Sequence, residues 1–314
     1  MPGEFELIER IRRQMVGHHP SLVDIGIGDD CAVIRPGPSG LRWLVTTDML
    51  MEGRHFSIGM ASEMAYEIGR KAMAVNLSDI AAMAGTPVCA FASVALPRGE
   101  AEKISADLAR GMLDEASRFE TTLAGGDTNA WDGPLVINIT LMGLEPPGGA
   151  VVRGGARPGD MIFVSGPLGG SFHSGRHLRP EPRLKLAREL KAALGDGLHA
   201  MIDLSDGLGG DLRHILKESG CPGAMLHAES IPFHSDLLSN LVQSQESLEN
   251  LVSGALGDGE DFELCFCVDP ESVPELPEGM HHVGVITEDR SLLIRWPDGS
   301  VKAWESGGFD HFSR

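Results

Sequence analysis

Apolar residues recur at helical spacing from Leu7 to Val16, and a buried-strand pattern from Leu41 to Val45 runs into Thr46-Thr47-Asp48. Met64, Ile68, Val75, Ile80 and Met83 fall near helical spacing within the Ala- and Met-rich stretch from Ala61 to Ala84, which predicts one or two packed helices with Asp79 embedded in them. Val88 to Leu96 then predicts a strand, Glu100 to Arg118 an amphipathic helix, and Thr121 to Ala124 a short strand ending at Gly125-Gly126-Asp127. Leu135 to Leu144 predicts a further strand, which completes one α/β unit.

Pro146-Pro147-Gly148-Gly149 opposes both helix and interior strand, so it marks the boundary between domains at 1–145 and 146–314. Beyond it, Met161 to Val164 predicts a strand entering the glycine-rich stretch 166–171. Pro182 to Leu194 reads as a helix, and Met201-Ile202 leads through Asp203-Leu204-Ser205-Asp206-Gly207 into a helix reaching about Glu218. Strands near Phe262 to Val268 and His282 to Ile286 close the second unit. The expected fold class is therefore α/β with two domains, with no repeat strong enough to mark a duplication.

Length supports this reading: 314 residues, 42% of them apolar, suffice for two such cores. A net charge of −19 argues against a nucleic-acid-binding surface, which needs a basic stripe. Cys31, Cys89, Cys221, Cys265 and Cys267 are odd in number and lack CxxC spacing, so they read as reduced thiols. Met1 to Arg13 carries no apolar signal region and no run of eighteen apolar residues occurs, which predicts a cytoplasmic protein.

Six aspartates stand among small residues: Asp30, Asp48, Asp79, Asp127, Asp203 and Asp206. An aspartate beside glycine is most often a turn or a helix cap, but Asp79 lies in an apolar helical segment where a bare carboxylate is costly. Carboxylates brought together raise one another's pKa or bind cations, and an all-oxygen set of Asp, Thr and Ser suits magnesium. Asp203 and Asp206 read equally as a ligand pair or as the cap of the following helix. Neither GxxxxGK[ST] nor a full GxGxxG occurs, and HExxH and GxSxG are likewise missing, which disfavours P-loop, dinucleotide, zinc and serine hydrolase chemistry. With six lysines in the chain, phosphate charge would be met by metals, backbone N–H groups and arginines such as Arg153.

The ordered strings GIGDDCAVI (26–34), TTD (46–48), GRHF (53–56), NLSDIAAMAG (76–85), GGDT (125–128), RGGARPGD (153–160), IDLSDGL (202–208), GEDFEL (259–264) and GFDHF (308–312) resemble the thiamine-monophosphate kinases. Those enzymes belong to the wider superfamily of aminoimidazole ribonucleotide synthetase and selenophosphate synthetase. The resemblance implies two α/β domains and a homodimer that pairs its N-terminal sheets. It also implies ATP as co-substrate, several Mg2+ ions, thiamine monophosphate as acceptor and direct in-line transfer of the γ-phosphate.

By the same resemblance, Asp30, Thr46, Thr47, Asp48, Asp79, Asp127, Asp203 and Asp206 would hold magnesium, with Asp48, Asp79, Asp127 and Asp206 central to catalysis. Phe119, Gly126, Asp127, Arg153 and Ser205 would contact ATP, and His55, Glu260 and Phe309 the thiamine phosphate. Another ATP-using member of the superfamily, or a non-catalytic sensor of thiamine phosphates or nucleotides, remains an alternative. A selenophosphate synthetase would carry an N-terminal catalytic Cys and Lys, and Met1 to Pro20 contains neither.

Overall fold

The computed structural model describes residues 4–14, 22–35, 40–57, 62–220, 223–241 and 247–305. Its first half runs α1 (Glu4–Gln14), β1 (Val23–Ile25), β2 (Ala32–Ile34), β3 (Trp43–Met51), α2 (Ser62–Ala82), β4 (Thr86–Pro97), α3 (Ala101–Arg118), β5 (Thr122–Trp131) and β6 (Val136–Leu144). The second half runs β7 (Met161–Val164), α4 (Ser171–Ser174), α5 (Leu184–Leu194), β8 (Leu198–Asp203), α6 (Leu208–Glu218), β9 (Gly223–His227), α7 (Ser235–Leu241) and α8 (Leu248–Gly257). It ends with β10 (Leu264–Val268), β11 (His281–Thr287), β12 (Leu292–Arg295) and β13 (Val301–Ala303).

Six strands form the first sheet in the order β1-β2-β3-β6-β4-β5, antiparallel except for β4 beside β5. Leu44, Leu50, Ala90, Ile137, Ile139 and Leu141 alternate with more exposed neighbours and turn one face to the core. The opposite face carries the exposed side chains of Met49, Phe91 and Trp131. Seven strands form the second sheet in the order β13-β12-β9-β11-β7-β10-β8. Its β10 is buried at every position because Leu264, Phe266 and Val268 enter one core while Cys265 and Cys267 enter the other. A strand covered on both faces needs an unbroken apolar run, which is why Leu-Cys-Phe-Cys-Val does not alternate.

Helix α2 lies where the two sheets meet, touching β3 and β6 of the first, β8 of the second and the helix α5. Burial on every side explains its Ala and Met content, since an apolar helix all round is a core helix. It crosses α3 closely. A Cβ built at Gly69 would stand 2.2 Å from the Leu108 carbonyl oxygen, and one at Gly111 would stand 2.0 Å from that of Tyr66. Gly111→Ala should therefore force the two helices apart and cost about 2 kcal/mol or more, read as a lower midpoint of urea unfolding. An unchanged midpoint would contradict the close crossing.

Two expectations from sequence change here. Thr46-Thr47-Asp48 does not end its strand, because β3 continues to Met51 paired with β6 throughout. Nor does Gly125-Gly126-Asp127 follow a short strand: it lies inside the ten-residue β5, in parallel register with Phe91, Ala92 and Ser93. A Cβ at Gly126 would stand 1.8 Å from the Ala92 carbonyl oxygen, so the close approach of β4 already demands glycine there.

Candidate active site

The buried helix α2 carries four polar residues that an apolar core would not tolerate alone: Lys71, Asn76, Ser78 and Asp79. Lys71, Ser78 and Asp79 share one helical face by their spacing, with Val75 between them. Each of the four meets a partner from another segment. Ser78 Oγ donates to Asp203 Oδ2 at 2.6 Å, Thr46 Oγ1 donates to Asp79, and the Asp48 backbone N–H donates to Asn76 Oδ1 at 3.1 Å. Lys71 Nζ reaches Glu260 Oε2 at 2.6 Å.

These ties gather carboxylates that are far apart in the chain. Oxygens of Asp30, Asp79 and Asp203 lie within 4.8 Å of one another, and Asp48 stands near enough for its charge to act on Asp79. Burial, reinforced by the neighbouring carboxylates, pushes Asp79 well above the ordinary aspartate range and Asp203 to about 8. Burial raises Asp48 as well. Asp30 Oδ1 accepts from the Arg153 guanidinium at 2.6 Å, while Asp30 Oδ2 is buried without a hydrogen-bond partner. A buried carboxylate oxygen left open beside two further carboxylates is what a hard cation completes, so the all-oxygen set fits magnesium. The nearby Cys31 thiol is pushed well above its usual value by burial, reinforced by the surrounding carboxylates.

The cluster stands between two cavities. The larger, of about 840 Å³, is lined by Asp48, Met51, Arg54, His55, Phe172, Ser205, Asp206 and Glu260 among others. The smaller, of about 330 Å³, presents Asp30, Thr46, Thr47 and Arg153 together with Arg12 and Lys217. Asp29 joins its floor to the second half of the chain by accepting the Arg153 backbone N–H at 3.2 Å. The glycine-rich stretch 166–171 is not open to an anion, because Asp261 takes the Gly169 N–H at 2.9 Å and Asp258 the Gly170 N–H at 3.0 Å.

The residues singled out from sequence thus divide by place. Asp30, Thr46, Asp48, Asp79, Asp203, Asp206, Arg153, Ser205, His55 and Glu260 converge on the cluster and its two cavities. Thr47 turns to the outer face of the first sheet, where it pairs with Thr140 at 3.1 Å, yet it still borders the smaller cavity. Asp127 does not join the cluster. Its register row is Met49, Asn138 and Ser93, on the face opposite Asp48, and it accepts from Asn129 at 2.7 Å. Gly126 lies on the same edge strand, and Phe119 packs into the core beneath Arg118 rather than lining either cavity. Phe309 lies outside the described residues.

Sequence reasoning missed Lys71, Asn76, Ser78, Asp211 and Phe172. Lys71 was visible as a charge eight residues before Asp79 in an apolar helix, and Asn76 and Ser78 stood inside a motif whose aspartate drew the attention. Asp211 takes the Asp206 backbone N–H at 3.0 Å and so orients that loop. Phe172 carried no local signal. Its ring stacks on His177 at 4.4 Å and borders the larger cavity.

Comparison with known proteins gives the family and the fold. Residues 28–144 match the family described as AIR synthase related protein, N-terminal domain. Thiamine-monophosphate kinase of Rhodopirellula baltica is 44% identical over 79% of this chain and 77% of its own. The structure of AaThiL complexed with AMPPCP and TMP superposes with a TM-score of 0.83 at 28% identity, covering 99% of this chain and 97% of that one. The E. coli hydrogenase maturation protein HypE, at 17% identity and TM-score 0.70 over 85% of this chain and 87% of its own, shares the fold alone. Thiamine-monophosphate kinase of Escherichia coli K12 is 35% identical over 99% of this chain and 98% of its own, and on that ground the chain belongs to the thiamine-monophosphate kinase family.

Proposed function

We propose that this chain transfers the γ-phosphate of ATP to thiamine monophosphate, giving thiamine diphosphate and ADP. The observation that carries the reading is the carboxylate cluster set between a cavity with Arg153 and a larger one with His55 and Glu260. It is supported by the names of the relatives and by the neighbour bound to AMPPCP and TMP. A bond forms between an oxygen of the acceptor phosphate and the γ-phosphorus as the bond from that phosphorus to ADP breaks.

In this reading Asp30, Thr46, Thr47, Asp48, Asp79, Asp203 and Asp206 hold magnesium, which would neutralise the phosphate oxygens and the charge that develops on them. Arg153 faces the nucleotide phosphates, held in direction by Asp30. His55 accepts the Met51 N–H at Nδ1, so its Nε2–H is the donor for an acceptor phosphate oxygen. Glu260 and the face of Phe172 suit the cationic heterocycle. No strong general base is needed, because a phosphate monoester is already ionised near neutral pH.

Purified protein with ATP and magnesium should release ADP in step with thiamine monophosphate consumed and should leave unphosphorylated thiamine unchanged. ADP release that is indifferent to the acceptor would overturn the assignment. Because ATP is the donor, we place the reaction in the cytoplasm. Among the described residues no helix is long and apolar enough to cross a membrane.

We also propose a homodimer. Edge strand β5 is largely exposed along ten residues, and the sheet face beside it shows Met49 at 53% and Trp131 at 43% exposure. An open edge and an apolar face are what pairing with a second copy would cover. Asp127 lies on that face, so a part for it in transfer requires the second copy. Light scattering at micromolar concentration should give about twice the 33.5 kDa of the chain, and a monomer would count against the proposal.

A further inference from the structure

We propose that Lys71 is a positioning residue of the acceptor cleft, its buried ammonium holding the Glu260 carboxylate and the His55 carbonyl in one arrangement across the cleft. The inference rests on the acceptor reading of that cavity given above.

Lys71 is 0% exposed in the middle of the core helix α2, where an ammonium persists only with close partners. Its Nζ donates to Glu260 Oε2 at 2.6 Å and to the His55 carbonyl oxygen at 3.1 Å. These two residues reach the cavity from segments about two hundred positions apart, and both line it. Lys71 itself lies behind them and is not among the lining residues.

What Lys71 controls follows from what it does not need to control. The Glu260 backbone is held on both sides without it: its N–H donates to the Ser205 carbonyl at 2.7 Å, and its carbonyl accepts from Ser171 Oγ at 2.6 Å. That pinning sustains left-handed backbone at Glu260 and Phe262, with φ of 58° and 52°. The turn around His55 is likewise closed by its own N–H to the Met51 carbonyl at 3.0 Å. The lysine is therefore placed to set the direction of the Glu260 carboxylate and the spacing between the two walls.

Charge gives the second reason. A lone carboxylate in the wall would repel an acceptor that brings a phosphate, whereas the pair with Lys71 offsets that charge and keeps the carboxylate directed to the cleft. Burial lowers the lysine's pKa, and Glu260 opposes that shift. The field of Lys71 also extends to His177, which burial and the lysine together push down to about 4, so the ring stacked on Phe172 is neutral at pH 7.

Steady-state kinetics of Lys71→Met test the inference, with binding of a non-hydrolysable ATP analogue by calorimetry in the same preparation. The KM for thiamine monophosphate should rise about tenfold or more, while the KM for ATP and the analogue's Kd stay within about twofold. An acceptor KM near that of the wild type in the folded variant, or equal rises for both substrates, would overturn the proposal. Should Lys71→Met alone fail to fold, the Glu260→Gln background removes the carboxylate charge that Lys71 offsets and keeps an oxygen for Lys71 to hold. Adding Lys71→Met there should raise the acceptor KM about tenfold over Glu260→Gln alone, and no difference would refute the positioning role. A wild-type protein that does not consume thiamine monophosphate would instead remove the functional reading beneath the inference, and that is seen before any substitution is made.

Discussion

Asp79→Asn is expected to lower turnover by about a hundredfold or more while raising the melting temperature of protein kept free of divalent cations. The two effects have one cause. Asp79 is placed by the buried helix α2 against Asp30, Asp48 and Asp203, and burial with these neighbours makes its ionised form costly. Asparagine keeps the shape and an oxygen for the Thr46 hydroxyl, so the local hydrogen bond survives. Asparagine is neutral without taking up a proton, so the cost of neutralising the buried Asp79 on folding disappears, and a gain of about 1 to 2 kcal/mol would appear as about 2 to 5 °C in melting temperature. The same charge is needed to hold the cations that neutralise the phosphates, so activity and added stability part company. Thermal unfolding in chelator and turnover in excess magnesium check both halves. A variant of full activity would show that Asp79 holds no essential cation, and a lower melting temperature in chelator would show that the cluster is not strained when bare.

Wild-type protein in chelator should melt higher at pH 5.5 than at pH 8.5 by roughly 5 °C or more, and magnesium should remove most of the difference. Burial raises Asp203 to about 8 and Asp29 to about 7, and lifts Asp79, Asp48 and Asp211 above the unfolded aspartate value. Folded pKa values above unfolded ones mean that the folded protein holds more protons through this range. The stability these groups contribute is complete below the unfolded value near 4 and is lost as pH rises through 7 and 8. Magnesium replaces those protons and binds the folded cluster alone, so its stabilisation should be larger at pH 8.5 than at pH 5.5. Differential scanning calorimetry across that range is the measurement, with Asp203→Asn expected to flatten the slope. A melting temperature that rises with pH in chelator, or that ignores magnesium, would contradict the cluster's electrostatics.

By itself the sequence determined what depends on local pattern and on order. The Ala- and Met-rich stretch reads as a core helix because its apolar residues fall at helical spacing, and α2 forms there as one unbroken helix. The cysteines at 265 and 267 read as reduced thiols because the chain's five are odd in number, lack CxxC spacing and mostly sit among apolar residues, and both are free and buried in β10. Nine short motifs in a fixed order pointed to the family, since each aspartate string is common alone and their succession is not. Tertiary structure decided which of those residues meet. Asp30, Asp79 and Asp203 come together through the packing of α2 against two sheets, a distance along the chain that no local period encodes. Strand pairing decided the rest: one residue along β3 separates Asp48 on the covered face from Thr47 and Met49 on the open one, and the bulge in the β4–β5 register carries Asp127 to the open face with them. The Lys71 to Glu260 pair spans 189 residues, and only the core shared by the two halves gives a buried ammonium a reason to be there.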